Sequence, residues 1–288
     1  MARTTWLIRP EGLVPYDAAF SAMHELADLR ARGGQTVVDL TLAGDGRDPH
    51  ALRRLSQSTG VKIVMATGGY RAGGASETRT DALVRDITLG VADSGVRAGI
   101  LGEIDLGAGP CGAAEVAVLR ATAQASRRTG AAISLAGPIP GEILRRALDV
   151  LESEGVDLAR VIVGGLDPLA AETERLEQLL ARGIYLQFDM LGRYPHVRSA
   201  SSDRDVAAAV VALVRRGHAR RILLSQDVRT KIQLKTYGGT GYAFVFEQFV
   251  PYLRRLGLTG DEIETILATN PARMLTLAEP KYPYSQLR

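Results

Sequence analysis

The chain has 288 residues, and its 35 Lys and Arg nearly balance 32 Asp and Glu, for a formal net charge of +3. With no basic cluster and only 5% aromatic residues, it lacks the usual surfaces for binding nucleic acid. The single cysteine, Cys111, excludes an intrachain disulfide and a cysteine-based zinc cluster. The sequence has no signal-peptide pattern and no apolar run of about 18 residues, so we expect a cytoplasmic protein without a transmembrane helix.

Eight short apolar runs alternate with amphipathic segments along the chain. The runs are mostly continuous, which is typical of strands buried on both faces of a parallel sheet. The predicted strands cover residues 5–9, 36–40, 62–66, 98–104, 132–136, 161–163, 185–188 and 222–225. Several amphipathic segments end at glycine, a common residue after the last turn of a helix. These predicted helices cover residues 17–32, 115–128, 141–154, 169–182 and 205–216.

This alternation predicts an α/β fold, specifically a single (β/α)8 TIM barrel. An open, doubly wound sheet is the alternative, but no G-x-G-x-x-G follows the first strand and no P-loop is present. No shift in composition marks a linker. We therefore expect residues 1–288 to form one domain, with a C-terminal tail after about residue 276.

In a TIM barrel the functional side chains lie at the carboxyl ends of the strands. The fourth predicted strand ends at Glu103, and Asp227 closely follows the eighth, so both carboxylates are expected in one mouth as catalytic groups. Arg47 is expected to hold its own loop through Asp39 or Asp45. Five further side chains near strand ends are candidate substrate-binding residues: Arg9, Tyr70, Arg193, His196 and Arg229.

Short motifs follow one another at the predicted strand ends. In chain order they are Val38-Asp39-Leu40-Thr41 with Gly46-Arg47-Asp48, Ala66-Thr67-Gly68-Gly69-Tyr70, Arg97-Ala98-Gly99-Ile100-Leu101-Gly102-Glu103-Ile104, Gln187-Phe188-Asp189, Leu224-Ser225-Gln226-Asp227, Gly238-Gly239-Thr240-Gly241-Tyr242 and Asn270-Pro271-Ala272-Arg273. Over nearly the whole chain this series resembles the phosphotriesterase family of the amidohydrolase superfamily. The resemblance implies a binuclear metallohydrolase. Its metals would be held by His-x-His on strand one, a carboxylated Lys or a Glu on strand four, one His each on strands five and six, and an Asp on strand eight.

The sequence departs from the ligand set that this resemblance implies. Pro10-Glu11-Gly12 stands at the His-x-His, Leu135 at the strand-five His and Gly165 at the strand-six His, so only Glu103 and Asp227 match. Zinc-like metals need about four N, S or O donors, and two carboxylates make a weak site for them. We therefore expect no resident metal and no other cofactor. The replacements are also expected to leave room for a bulkier substrate.

Three functions remain open on this basis. The favoured one is a metal-independent enzyme in which Glu103 and Asp227 repel each other and divide the roles of general acid and base. Its reaction would be a hydrolysis, cyclisation, elimination or isomerisation of a small organic substrate. The arginines near the strand ends would favour a substrate that is an anion. The alternatives are a metal-dependent hydrolase of lactones or phosphoesters with a non-standard metal site, and a non-catalytic protein that binds a ligand. We expect no nucleic-acid or membrane partner, and a homodimer is left open.

Overall fold

The computed structural model describes residues 4–7, 15–68, 76–107, 111–137, 139–194 and 201–279. Within these residues the strands are β1 (Thr4–Leu7), β2 (Thr36–Asp39), β3 (Lys62–Thr67), β4 (Ile100–Ile104), β5 (Ile133–Leu135), β6 (Val161–Val163), β7 (Tyr185–Phe188) and β8 (Ile222–Leu224). The α-helices are α1 (Pro15–Ala31), α2 (Pro49–Thr59), α3 (Ser76–Thr88), α4 (Ala113–Thr129), α5 (Gly141–Ser153), α6 (Thr173–Ala181), α7 (Asp203–Arg215), α8 (Val250–Arg255), α9 (Gly260–Glu264) and α10 (Asn270–Leu275).

The strands form one parallel sheet in which each pairs with the next along the chain, in the order β1 to β8. Parallel neighbours require a crossover connection, and helices α1 to α7 supply the crossovers. The predicted α/β fold is therefore confirmed. The described ladders run from β1–β2 to β7–β8, so closure of β8 onto β1 stays a prediction.

The predicted strand bounds agree with the structure to within one or two residues, except where residues 8–9 lie outside the described part. One predicted helix is wrong at its start. Leu169 lies in a separate 3-10 turn, Asp167–Leu169, and α6 begins only at Thr173. Single π-helical turns, Val245–Phe249 and Thr265–Thr269, precede α8 and α10. None of the helices in the described ranges is long and apolar enough to cross a membrane.

Side chains alternate between the two faces of each strand, which creates two apolar layers. One cluster contains Val38, Ile100, Ile162, Tyr185 and Leu223, and we assign it to the inner face of the curved sheet. The neighbouring strand residues belong to a larger cluster that includes the apolar faces of the helices, and they include Leu101, Ile133, Val163, Leu186 and Leu224. The polar residues Gln187 and Ser225 continue the inner face of β7 and β8 towards the carboxyl ends of these strands.

The described beginning of the predicted C-terminal tail lies against the turns before β5 and β6. Arg160 donates to the carbonyl oxygens of Arg273 at 2.8 Å and Thr276 at 2.7 Å. The backbone N–H of Ala278 donates to Gly130 O at 2.9 Å. These bonds fix the end of α10 at the opposite end of the sheet from the candidate site.

Candidate active site

The structure brings Glu103, at the end of β4, and Asp227, after β8, to one arginine. Arg229 Nε donates to Asp227 Oδ1 at 2.6 Å, and Arg229 Nη2 donates to Glu103 Oε2 at 3.3 Å. A single guanidinium spans only a few ångströms, so the two carboxylates face the same mouth. The arginine between them offsets the repulsion that two adjacent carboxylates would otherwise feel.

Arg193, in the segment after β7, completes the pairing of Asp227. Its Nη2 donates to Asp227 Oδ2 and also to the backbone carbonyl of Asp227 at 3.2 Å. Each carboxylate oxygen of Asp227 therefore accepts from a different guanidinium. Burial raises the pKa of Asp227, and the charges and hydrogen bonds of Arg229 and Arg193 oppose that rise.

Glu103 is mostly buried, with 11% of its side chain exposed, and it has less cationic support than Asp227. Burial raises the pKa of Glu103 to about 7; Arg229 opposes the rise, and the negative charges of Asp227 and Asp105 add to it. A carboxyl group with this pKa can both release and accept a proton near neutral pH. The two carboxyl groups thus differ because they have unequal numbers of arginine partners.

The turn that carries Asp227 and Arg229 is fixed by Gln233. Asp227 has a positive φ of 45°, which is uncommon for a residue with a side chain. Gln233 Nε2 donates to Asp227 O at 3.1 Å, while its Oε1 accepts from Arg229 N at 2.9 Å and from Thr230 N and Oγ1, both at 3.0 Å. One side-chain amide therefore holds the backbone of both site residues. Sequence reasoning missed Gln233, because nothing in its position marks this contact.

Sequence reasoning also left Asp167 and Asp189 out of the site. Asp167 accepts from the backbone N–H of Asp189 at 2.9 Å and of Met190 at 3.1 Å. Burial, opposed by these bonds, raises the pKa of Asp167 to about 6. Asp189 Oδ2 accepts from Gly165 N at 2.9 Å and Gln187 Nε2 at 3.2 Å. Burial and the charges of nearby carboxylates raise the pKa of Asp189. The position of Asp189 directly after β7 was the sequence signal that could have identified it as a site residue.

At the ends of β5 and β6, glycine backbones lie in close contact. A Cβ at Gly165 would lie 2.4 Å from the carbonyl carbon of Gly137, and a Cβ at Gly137 would lie 2.0 Å from Gly164 O. Gly165 also has a φ of +62°, a conformation that favours glycine. These glycines therefore allow two backbones to touch. Of the replacements expected to leave room for a bulkier substrate, Gly165 does not, because the Gly137 backbone lies against it.

Leu135 also differs from its predicted place. It is fully buried in the outer cluster with the helices, so its side chain points away from the mouth. Alternation along β5 assigns the inner face to Ser134 and Ala136 instead. Neither the Leu135 nor the Ala136 side chain offers a metal donor.

The described residues do not fit the binuclear metal centre that the resemblance implies. A side chain at Gly165 would collide with backbone, and both oxygens of Asp227 are already paired with arginines. Glu103 shares the second of those arginines. A guanidinium where a cation would bind repels a metal ion. Among the described residues, no group of three or more His, Cys, Asp or Glu side chains could hold a metal ion.

An open cleft of about 450 Å³ lies beside the paired carboxylates. The segments after β7 and β8 form its walls, and its lining residues are Gly192, Arg193, Tyr194, Arg229, Thr230, Ile232, Gln233, Gly239 and Thr240. This volume would accommodate a small organic molecule. The cleft therefore places two of the predicted substrate-binding residues, Arg193 and Arg229, next to the predicted catalytic pair.

The remaining candidate residues do not line the cleft in the described part of the chain. Arg9, Tyr70 and His196 lie outside the described residues. Arg47 donates to Ala66 O at 2.8 Å and pairs with Asp86 at 3.4 Å, which is a structural role. Asp86 also accepts from Thr67 Oγ1 at 2.5 Å, so this buried network ties the end of β3 to α3.

Comparison with known proteins identifies the family and supports the fold. N-acetyltaurine hydrolase of Dictyostelium discoideum is 32% identical over 273 residues, covering 89% of this chain and 73% of the relative. Among solved structures, a resiniferatoxin-binding protein from Rhodobacter sphaeroides has a TM-score of 0.86 at 31% identity, covering 95% of this chain and 90% of its own. The phosphotriesterase homology protein from Escherichia coli, solved with phosphate in its active site, has a TM-score of 0.85 at 27% identity, covering 96% and 99%. The phosphotriesterase family model matches residues 16–275, and the chain therefore belongs to the phosphotriesterase family.

Proposed function

We propose that this protein is a metal-independent acid–base enzyme that acts on a small anionic organic molecule. The observation that carries the proposal is the arginine-paired set of Glu103 and Asp227 beside an open cleft. Arg193 and Arg229 supply positive charge beside the carboxylates that the family resemblance would assign to metal ions. The single-domain (β/α)8 barrel, closed between β8 and β1, is part of the same proposal.

Glu103 and Asp227 divide the proton transfers. Asp227, supported by two guanidinium groups, accepts the proton of the attacking group, which in a hydrolysis is water. Glu103, with a pKa of about 7, carries a proton for part of the time at neutral pH and delivers it to the leaving group. Arg229 touches both carboxylates and stabilises negative charge that develops between them.

The relatives favour hydrolysis of an anionic substrate over the other reactions considered. N-acetyltaurine, named as the substrate of the Dictyostelium relative, is an amide that carries a sulfonate, and the Escherichia coli relative holds phosphate in its active site. Planar guanidinium groups recognise both kinds of oxyanion. Screening should therefore begin with N-acyl amino sulfonates and amino acids, followed by lactones and phosphoesters.

Turnover measured with and without chelation tests this proposal. Activity on the substrate found by screening should survive dialysis against a chelator and should fall sharply in Glu103→Gln and Asp227→Asn. Arg175→Gln is the matched control, because Arg175 pairs with a carboxylate, Glu172, on the surface of α6. Activity that is lost on chelation and restored by a metal would support the metal-dependent hydrolase instead.

Ligand binding without catalysis is the second candidate, and one observation favours it. The relative from Rhodobacter sphaeroides, at 31% identity, is described by what it binds. In that case a ligand would raise the melting temperature of the wild type but not of Arg193→Ala or Arg229→Ala, and no turnover would accompany binding.

A further inference from the structure

The walls of the cleft are tied to each other. Tyr194 Oη, on the segment after β7, donates to Gly238 O at 2.7 Å. Thr240 Oγ1, on the segment after β8, donates to Gly192 O at 3.0 Å. Two hydrogen bonds in opposite directions therefore connect the segments that enclose the cleft. Its walls keep a fixed separation, so a ligand need not bring them together.

The floor of the cleft has unused hydrogen-bond donors. Arg193 directs only Nη2 to Asp227, and Arg229 directs only Nε and Nη2 to carboxylates. Within the described part of the chain, Nε and Nη1 of Arg193 and Nη1 of Arg229 have no hydrogen-bond partner. The two side chains are 36% and 44% exposed. These N–H groups are therefore available to the oxygens of an anion.

The rim of the same cleft is apolar. Ile232 is 68% exposed and Tyr194 is 64% exposed, and both line the cleft. Single exposed apolar side chains are ordinary, but these two stand on different segments around one cavity. An apolar group that enters the cleft would cover both of them. The cleft thus combines a cationic floor with an apolar rim.

We propose that the cleft binds an amphiphilic organic anion, with its oxyanion group on Arg193 and Arg229 and its hydrocarbon part against Tyr194 and Ile232. The inference rests on the proposed function, because it names the substrate class of the same site. An oxyanion at the arginines places the adjoining part of the molecule next to Asp227 and Glu103.

A series of linear alkanesulfonates, from ethanesulfonate to octanesulfonate, tests the inference with the full chain. A sulfonate stays ionised near neutral pH, so its charge is constant and only the chain length varies. Titration calorimetry should show the Kd falling about twofold to fourfold per methylene, the range for partial to complete burial of a CH₂ group. Ile232→Ser should reduce the dependence of Kd on chain length. Arg193→Gln should raise the Kd of every member of the series by about the same factor.

Two matched variants serve as controls. Leu89→Ser removes another exposed aliphatic side chain, 72% exposed and outside the cleft lining, and should leave the chain-length dependence unchanged. Arg175→Gln removes a surface arginine that pairs with Glu172, and should leave affinity unchanged.

Equal affinity along the series, undetectable binding, or equal effects of Ile232→Ser and Leu89→Ser would overturn the inference. The failure of the proposed function is separate. If Glu103→Gln turned substrate over at the wild-type rate, the proposed acid–base function would be wrong, whatever the calorimetry shows.

Discussion

The two halves of the site differ in what their strand ends provide. After β7 and β8, the chain supplies Arg193, Asp227 and Arg229, which are joined by hydrogen bonds. It also supplies Asp189, whose pKa is raised by burial and by the nearby carboxylates. After β5 and β6 it supplies glycines whose backbones touch. The difference teaches that, in the part of the chain that the structure describes, neither half supplies three or more side chains that could hold a metal ion together. Backbone contact occupies one half of the site, and arginines neutralise the carboxylates near the other.

The largest expected effect is on catalysis in the charged half. Asp227→Asn should lower kcat by roughly 10²–10⁴, the usual contribution of a positioned proton-transfer group. Glu103→Gln should behave similarly, and the double variant should lose far less than the product of the two effects, because the pair acts as a unit. Steady-state kinetics measure this, with melting curves to verify the fold. Wild-type turnover in both variants would remove the carboxylates from the mechanism.

The second prediction concerns the glycine half and stability. Gly165→Ala should destabilise the fold by about 3 kcal/mol or more, since it combines left-handed strain with overlap against Gly137. Gly183 is the matched control. Its φ is +86° but a Cβ there meets nothing within 4 Å, so Gly183→Ala should cost only about 1 kcal/mol. Denaturant unfolding compares the two, and equal losses would mean that the backbones are not in contact.

The third prediction follows from the raised pKa of Glu103. A carboxyl group whose pKa rises on folding from 4.5 to about 7 binds its proton more tightly in the folded state. The free energy of unfolding should therefore fall between about pH 4.5 and pH 7, by about 3 kcal/mol in all, and level off above that window. Glu103→Gln lacks this titration, so its stability relative to wild type should increase across the same window. A difference independent of pH would mean that Glu103 has an ordinary pKa.

The smallest effect is expected from the residue that holds the charged half in place. Gln233→Leu removes the hydrogen bonds to the turn of Asp227, Arg229 and Thr230, and should cost about 1–2 kcal/mol. The pH–rate limb assigned to Glu103 should also shift, because Arg229 would be less firmly held. Gln233→Glu keeps the acceptor for the N–H groups of Arg229 and Thr230 but loses the donor to Asp227 O, so it should restore only part of the lost stability. Unchanged stability and an unchanged pH profile in Gln233→Leu would show that the turn keeps its conformation without the Gln233 side chain.

The sequence predicted the strands well because continuous apolar runs between glycine-ended helices have few other interpretations. It also placed Glu103 and Asp227 in one mouth, since parallel strand ends share an edge. It could not predict Gln233, whose role depends on tertiary contact, or the buried state of Asp189. The Gly137–Gly165 contact was likewise out of reach, because composition alone does not distinguish a glycine that opens a space from one that closes it.

Metal content tests the central claim of this account most directly. Protein expressed with added zinc, manganese, iron or cobalt and then dialysed should contain well under one equivalent of each by elemental analysis. The reason is that arginines pair with the carboxylates of the charged half of the site, and glycine backbones fill the half after β5 and β6. One or two equivalents of metal that survive dialysis, with activity lost on chelation, would contradict the account.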